Sequence, residues 1–273
     1  MAEATTSYVH AAADGLPARV VGPWVDAKVH YVDRYAEMFA TGMKNRWERR
    51  AYVELFAGPG MSLDRKHGTF ITGSAIRALD FDFTDYVFVD IDPIATTALF
   101  ERVRARGHPG KQVHVYTGNC NAAPAAVRND VPAGALTLAF VDPTTWQVTF
   151  EAIRAMTDAR RVDLLFTFHA ATMRRMVHHD PPALTRFFGT DEWRGILRRP
   201  REGHTVGLLD LYNRQLATIG YLPGSAAHAV PIRNTRNRVI YYLVVFSKSD
   251  RGLDFWKKAA AKSWSGQLEL PWL

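Results

Sequence analysis

The sequence predicts an α/β fold: a mostly parallel, seven-stranded sheet closed by an antiparallel C-terminal hairpin and interrupted by a helical insertion. Three observations predict it. An apolar run, Val53-Glu54-Leu55-Phe56, ends in a glycine turn, Ala57-Gly58-Pro59-Gly60. A second run, Tyr86-Val87-Phe88-Val89, ends in Asp90-Ile91-Asp92-Pro93. Ala135-Leu136-Thr137-Leu138-Ala139-Phe140-Val141 is continuously apolar, as expected of a central parallel strand covered on both faces.

The elements follow in order. Residues 1–20 are expected to be a frayed tail, and 21–273 a single domain. Gly22-Pro23-Trp24 is a turn, after which Val25, Val29, Val32, Tyr35, Ala36 and Phe39 recur at helical spacing to about Gly42. Strands are expected over 51–56, 85–90 and 112–117. The stretch from Met61 to Gly73 carries Asp64-Arg65-Lys66-His67-Gly68 and reads as a loop. Ser74 opens a short helix to Leu79. Pro93 opens the next, a favoured first-turn proline, and Gly107 to Gly110 ends it. A helix begins near Pro124, another spans 149–157, and Val162 to Phe168 is a buried strand. Residues 170–205, rich in Arg and His, read as a helical insertion. Leu208 to Ile219 is the last long core helix. Ala226 to Ile232 and Val239 to Phe246 are strands joined by Arg233–Arg238, a link so short that the pair must be antiparallel. Gly252 to Lys262 closes the chain. A parallel sheet finished in this way is the Rossmann-like layout of class I methyltransferases.

Composition narrows the function. With 273 residues and 47% hydrophobic content the chain supports a sizeable core. Its single cysteine, Cys120, excludes an intramolecular disulfide or a cysteine-rich zinc site. No apolar stretch approaches the roughly 18 residues of a membrane helix, and no basic-then-apolar leader is evident, so a cytoplasmic protein is expected. Lys+Arg number 34 against 27 Asp+Glu, a net +7 that suits a polyanionic partner such as nucleic acid. The basic residues cluster at 44–50, 102–106, 194–201 and 233–238. His169 and His178-His179 lack metal-ligand spacing, so no metal is expected.

Each strand tip carries a candidate group, and ligands of open α/β sheets gather at those carboxyl ends. Gly58 and Gly60 let backbone approach a ligand, and Asp90 or Asp92 can grip ribose hydroxyls. Asn119, in Gly118-Asn119-Cys120-Asn121, is placed to reach an adenine ring, whereas Cys120 reads as a packing residue. Asp142, in Asp142-Pro143-Thr144-Thr145-Trp146, can accept hydrogen bonds from an exocyclic amine. Trp146 can stack on a planar base or simply pack. A nicotinamide enzyme is disfavoured, because its fingerprint needs a glycine at position 63, which is Leu63.

These residues resemble the three-Cys-motif partner proteins. Gly22-Pro23-Trp24 with Lys28 and Tyr35, Glu54 through Gly60, Gly73-Ser74, Phe88 through Pro93, Gly118 through Asn121 and Phe140 through Pro143 carry the likeness. Phe188-Gly189, Trp193, Tyr242-Leu243-Val244, Ser247-Lys248, Gly252-Leu253 and Phe255-Trp256 extend it over about residues 20–260. The family's bacterial members are often encoded beside a protein with three cysteines in a radical-S-adenosylmethionine-like arrangement. Glu54 departs from the aspartate of many relatives, and Thr144-Thr145 from an aromatic-glycine pair, which alters the acceptor end.

The resemblance implies an S-adenosylmethionine-dependent methyltransferase, with a nucleobase, nucleotide or nucleic acid as acceptor. Small-molecule methylation and a non-catalytic partner role beside the three-cysteine protein are the alternatives. The expected cofactor set is Lys28, Tyr35, Glu54, Phe56, Gly58, Gly60, Asp90, Ile91, Asn119, Cys120 and Asp142, with Asp142 and Trp146 as the catalytic pair. The loop 61–72 and the insertion 170–205 are expected to be lids.

Overall fold

The computed structural model describes residues 8–11, 13–176, 181–223 and 228–262. In chain order the strands are β1 Tyr8–His10, β2 Pro17–Val21, β3 Arg50–Leu55, β4 Met61–Asp64, β5 Phe70–Thr72, β6 Asp85–Asp90, β7 Gln112–Thr117, β8 Leu136–Val141, β9 Arg161–Phe168, β10 Val230–Arg233 and β11 Val239–Phe246. The helices are α1 Val25–Met43, α2 Ser74–Ala78, α3 Pro93–Arg106, α4 Ala123–Asp130, α5 Phe150–Thr157, α6 Ala170–Met176, α7 Pro181–Phe188, α8 Trp193–Leu197, α9 His204–Ala217 and α10 Asp250–Ala260. Among the described residues no helix is long and apolar enough to cross a membrane.

The main sheet has seven strands in the order β10-β11-β9-β8-β3-β6-β7. Strands β7, β6, β3, β8 and β9 are parallel, and β11 runs antiparallel to both β9 and β10. Parallel strands covered on both faces need no polar alternation, and β3, β6 and β8 are buried almost throughout. Period-two geometry divides their side chains: Val53, Leu55, Ala139 and Val141 face one core, Tyr52, Leu138 and Phe140 the other. The first core is covered by α4, α5, α7 and α9, the second by α1, α2, α3 and α10. From β3 the chain moves outward to β6 and β7, then crosses back to β8. The strand order therefore reverses between β3 and β8, and a crevice opens beyond the carboxyl ends at that point.

Two expectations are corrected. Within the expected frayed tail and loop, Tyr8–His10, Pro17–Val21, Met61–Asp64 and Phe70–Thr72 pair instead in a second, four-stranded sheet, β1-β2-β4-β5. β2 joins β4 in parallel, Arg19 opposite Ser62, and β4 folds back on β5. Strands this short gain little from their own sequence. The link from β1 into β2 is anchored by Arg102 of α3, which is 6% exposed. Its guanidinium grips the Asp14 carboxylate and donates to the carbonyls of Leu16, Pro17 and Pro59. The insertion is helical as expected, as α6, α7 and α8, and α9 begins at His204 rather than Leu208. The start of the expected strand at 226 lies outside the described residues, and β10 begins at Val230.

Candidate functional site

The glycine turn leaves β3 through three left-handed residues: Phe56 at φ +71°, Gly58 at +63° and Gly60 at +78°. A phenylalanine there costs about 1–2 kcal/mol of backbone strain. The Phe56 and Ala57 amides, both donating to the Val89 carbonyl, hold it in place. The Phe56 side chain packs against the α4/α5 core. The two glycines serve different ends. A Cβ on Gly58 would meet only the Arg19 guanidinium, at 3.8 Å, so its backbone stays approachable. A Cβ on Gly60 would run into Ile76 and Leu99 at 2.8 and 2.9 Å. Gly60, expected to line a cofactor, is thus needed for packing between α2 and α3.

Asp90 ends β6 and braces this turn. Its Oδ2 accepts the Gly58 amide at 2.8 Å and its Oδ1 the Asp92 amide at 3.0 Å, with the Arg19 guanidinium 3.8 Å away. A carboxylate has about four lone-pair sites, so both oxygens keep room for further donors. Asp92 caps α3 through the Ile94 amide and accepts the Tyr8 hydroxyl at 2.6 Å. Burial and that bond push the Tyr8 hydroxyl up to about 12. Between the two acids Ile91 is 66% exposed, an apolar side chain left bare at the crevice rim.

At the end of β7, Asn119 is exposed and its Oδ1 accepts the Asn121 amide, capping a one-turn 3-10 helix. Cys120 is buried, and burial pushes its thiol up to about 11, so its side chain packs and is not reactive. Asn121 ties this turn to the loop after β8, donating to the Gln147 carbonyl at 3.0 Å and accepting the Thr149 amide at 2.8 Å.

Asp142 lies one residue beyond β8. Its Oδ2 pairs with the Lys28 ammonium from the first turns of α1, and its Oδ1 accepts the Thr167 hydroxyl at 2.8 Å. Burial alone would raise this carboxyl, but Lys28 and Thr167 hold it below the usual range. His169, at the tip of β9, sits over Tyr241 with ring centroids 4.9 Å apart. Burial lowers its pKa in spite of Asp142, so the imidazole is neutral at pH 7. The reversed direction of β11 is what brings Tyr241 to the carboxyl ends of β8 and β9. The result is a carboxylate neutralised by one lysine beside a neutral imidazole and a buried phenol.

Two expected site residues lie elsewhere, and a third supports the turn from below. Tyr35 is fully buried between α1 and α10, donating to Asp163 near the start of β9 at 2.9 Å. It stands at the opposite end of the sheet from the crevice. Trp146 is 7% exposed within the α5 core, so it packs and offers no face for stacking. Glu54 is 1% exposed, with both oxygens held by the Tyr52 and Ser74 hydroxyls beneath the turn. Burial pushes its carboxyl up to about 8. It braces α2 from beneath the turn, near enough to the Asp142–Lys28 pair for both to bias its charge. Conversely, Tyr8, Arg19, Thr167, His169 and Tyr241 join the site without having been expected there. Thr167 and His169 could have been found, since both occupy the tip of an expected strand. Nothing local marks Tyr8 or Arg19.

Comparison with solved structures matches the fold. Trm1 from Pyrococcus horikoshii, solved with S-adenosyl-L-methionine, superposes at a TM-score of 0.50 and 13% identity, over 86% of this chain and 62% of its own. The chain thus spans less than two thirds of Trm1. Protein LPL1258 of Legionella pneumophila also gives 0.50, at 9% identity, over 88% of this chain and 94% of its own. An O-methyltransferase from Bacillus cereus, in complex with SAH, gives 0.46 at 10% identity, over 84% and 82%. No protein-family model matches the chain, and no curated protein matches its sequence. The strand order and the likeness to Trm1 give the chain the class I methyltransferase fold.

Proposed function

We propose that the protein is an S-adenosylmethionine-dependent methyltransferase acting on a nucleobase, nucleotide or nucleic acid. One observation carries this reading. Gly58, Asp90, Asn119 and Asp142 stand at the carboxyl ends of β3, β6, β7 and β8, the four adjacent strands that flank the reversal of strand order. The residues fit an adenosyl ligand. Asp90 retains acceptor capacity for ribose hydroxyls, exposed Ile91 offers an apolar face for adenine, and Asn119 stands near the ring edge. Gly58 presents bare backbone to the methionine end. The solved Trm1 structure contains this donor, which supports the choice.

The donor supplies an electrophilic methyl carbon, so the protein's task is alignment and exclusion of water. Asp142 stands where an acceptor amine would donate its hydrogen bonds, and Lys28 keeps that carboxylate ionised. His169, neutral and beside Asp142, is placed to receive the proton that leaves the amine. The net charge of +7 favours a phosphate-bearing acceptor.

A second reading has its own observation. Both Asp142 oxygens are already engaged, by Lys28 and Thr167, which suits a protein that keeps the fold and works through a three-cysteine partner. Calorimetry with S-adenosylmethionine, followed by radiolabelled methyl transfer to RNA, DNA and nucleosides, separates the two. The methyltransferase reading expects transfer, reduced roughly 100-fold or more by Asp142→Asn with donor affinity retained. Binding without transfer to any acceptor favours the partner reading, and absence of donor binding sinks both.

A further inference from the structure

The insertion that follows the tip of β9 encloses a cavity of about 460 Å³ between α6, α7, α8 and the start of α9. Arg174, Arg194, Arg198, Arg199, Arg201 and His204 line it, and among the described residues no acidic side chain does. Arg194 is paired with Asp191, and the neighbouring Glu192 is taken by Arg214. Among the described residues, Arg174, Arg198, Arg199 and Arg201 have no carboxylate in ion-pair contact.

Two buried groups show that the walls are incompletely satisfied. His204 is 8% exposed, and its Nε2 lies 2.8 Å from the Arg199 carbonyl while its Nδ1 has no partner. The Arg174 Nε is likewise buried without a partner, although its Nη1 reaches the Thr205 hydroxyl. Burial and the nearby Arg201 lower the Arg174 pKa, and among the described residues no carboxylate pairs with it to offset desolvation and like-charge repulsion. Behind these groups α9 presents its amino end, where Gly203 at φ +92° supplies no side-chain cap. Native proteins seldom leave buried polar groups unsatisfied without a ligand to complete them.

We infer that this cavity binds the phosphodiester backbone of a polynucleotide acceptor. Guanidinium groups match phosphate in planar, two-pronged fashion, and several arginines in one wall exceed what a single carboxylate would need. The side of the molecule agrees. α6 begins immediately after His169, so Arg174 lies little more than one helical turn from the Asp142 cluster along the chain. Exposed Arg198, Arg199 and Arg201 extend the basic wall outward, as a strand of successive phosphates requires. The inference rests on the methyltransferase reading for its acceptor, not for the cavity's preference for phosphate.

The test measures fluorescence anisotropy of labelled single-stranded RNA and DNA 20-mers across a salt series, with donor affinity measured in parallel. The full-length wild type should bind, and the exposed pair Arg199→Ala/Arg201→Ala should lose roughly tenfold in affinity. The salt slope should fall by about 1.4, since each phosphate contact on a single strand contributes about 0.7. Lysine at both positions should restore the slope, and donor affinity should not change. Wild-type affinity and slope in the alanine pair would overturn the inference, as would a wild type that binds no oligonucleotide. Displacement of the oligonucleotide by ATP or inorganic phosphate at equal phosphate concentration would overturn it in favour of a mononucleotide site. Oligonucleotide binding that shows the expected losses in a protein with no affinity for S-adenosylmethionine would keep this inference and remove the methyltransferase reading instead.

Discussion

The two sides of the crevice treat charge in opposite ways. On the glycine-turn side the protein answers its own charges, the buried Arg19 Nε excepted: Asp90 holds two backbone amides, Asp92 a tyrosine and a helix end, and Arg102 an aspartate and three carbonyls. On the insertion side arginines crowd one another, and buried nitrogens lack partners. Groups that are already bonded fix a shape before a ligand arrives, and so reduce the ordering that binding demands. Groups left unanswered store their interaction for the ligand and give salt-sensitive, long-range attraction. One wall is a mould and the other a magnet.

The sharpest way to break this contrast is to unbrace the mould. Asp90→Ala strands the Gly58 and Asp92 amides and should weaken S-adenosylmethionine binding by ~1–3 kcal/mol, up to about 100-fold by calorimetry. Wild-type affinity in that variant would mean that the turn keeps its shape unaided.

Glu54 supplies the next effect, in stability. Its folded-state pKa of about 8 lies above the ordinary 4.5, so the folded protein prefers the protonated acid. That contribution is complete below about pH 4.5 and is lost as pH rises towards 8. Glu54→Gln does not titrate and can still bond both the Tyr52 and Ser74 hydroxyls. Its unfolding free energy relative to wild type should therefore climb with pH, by about 1.4 kcal/mol per pH unit between about pH 5 and the folded-state pKa. A difference between the two proteins that stays flat from pH 5 to 8 would show that Glu54 is ionised in the fold.

The smallest change sharpens the picture at its edge. Tyr8→Phe deletes one half-buried bond to Asp92, at ~0.5–1 kcal/mol, and should lower Tm by about 2–4 °C. Because Asp90 and not Asp92 braces the turn, donor affinity should move by less than about threefold. A larger loss would make β1 part of the binding wall itself.

What the sequence disclosed divides along the same line. Strands buried on both faces announce themselves by composition alone, and their tips come in chain order. The positions of Gly58, Asp90, Asn119 and Asp142 at those tips are therefore legible in the sequence. Tyr35 was misplaced for a geometric reason. It shares a helix face with Lys28, but seven residues separate the two by about 10 Å along the axis, and periodicity gives the face without the depth. Trp146 was drawn inward by a loop whose course depends on Asn121 and Gln147, bonds no local pattern encodes. β1, β2, β4 and β5 escape the sequence because they are short and depend on one another and on the anchoring of the β1–β2 link by an arginine on α3.

That arginine has a practical corollary. A protein shortened to begin near residue 21, as the composition of its first residues would tempt one to do, loses Asp14 and the carbonyls of Leu16 and Pro17 together. Arg102 would keep only the Pro59 carbonyl, and the cation directly behind the glycine turn would lose its counter-ion. The front of the chain is a keystone, and trimming it would disturb the ligand end of the molecule from behind.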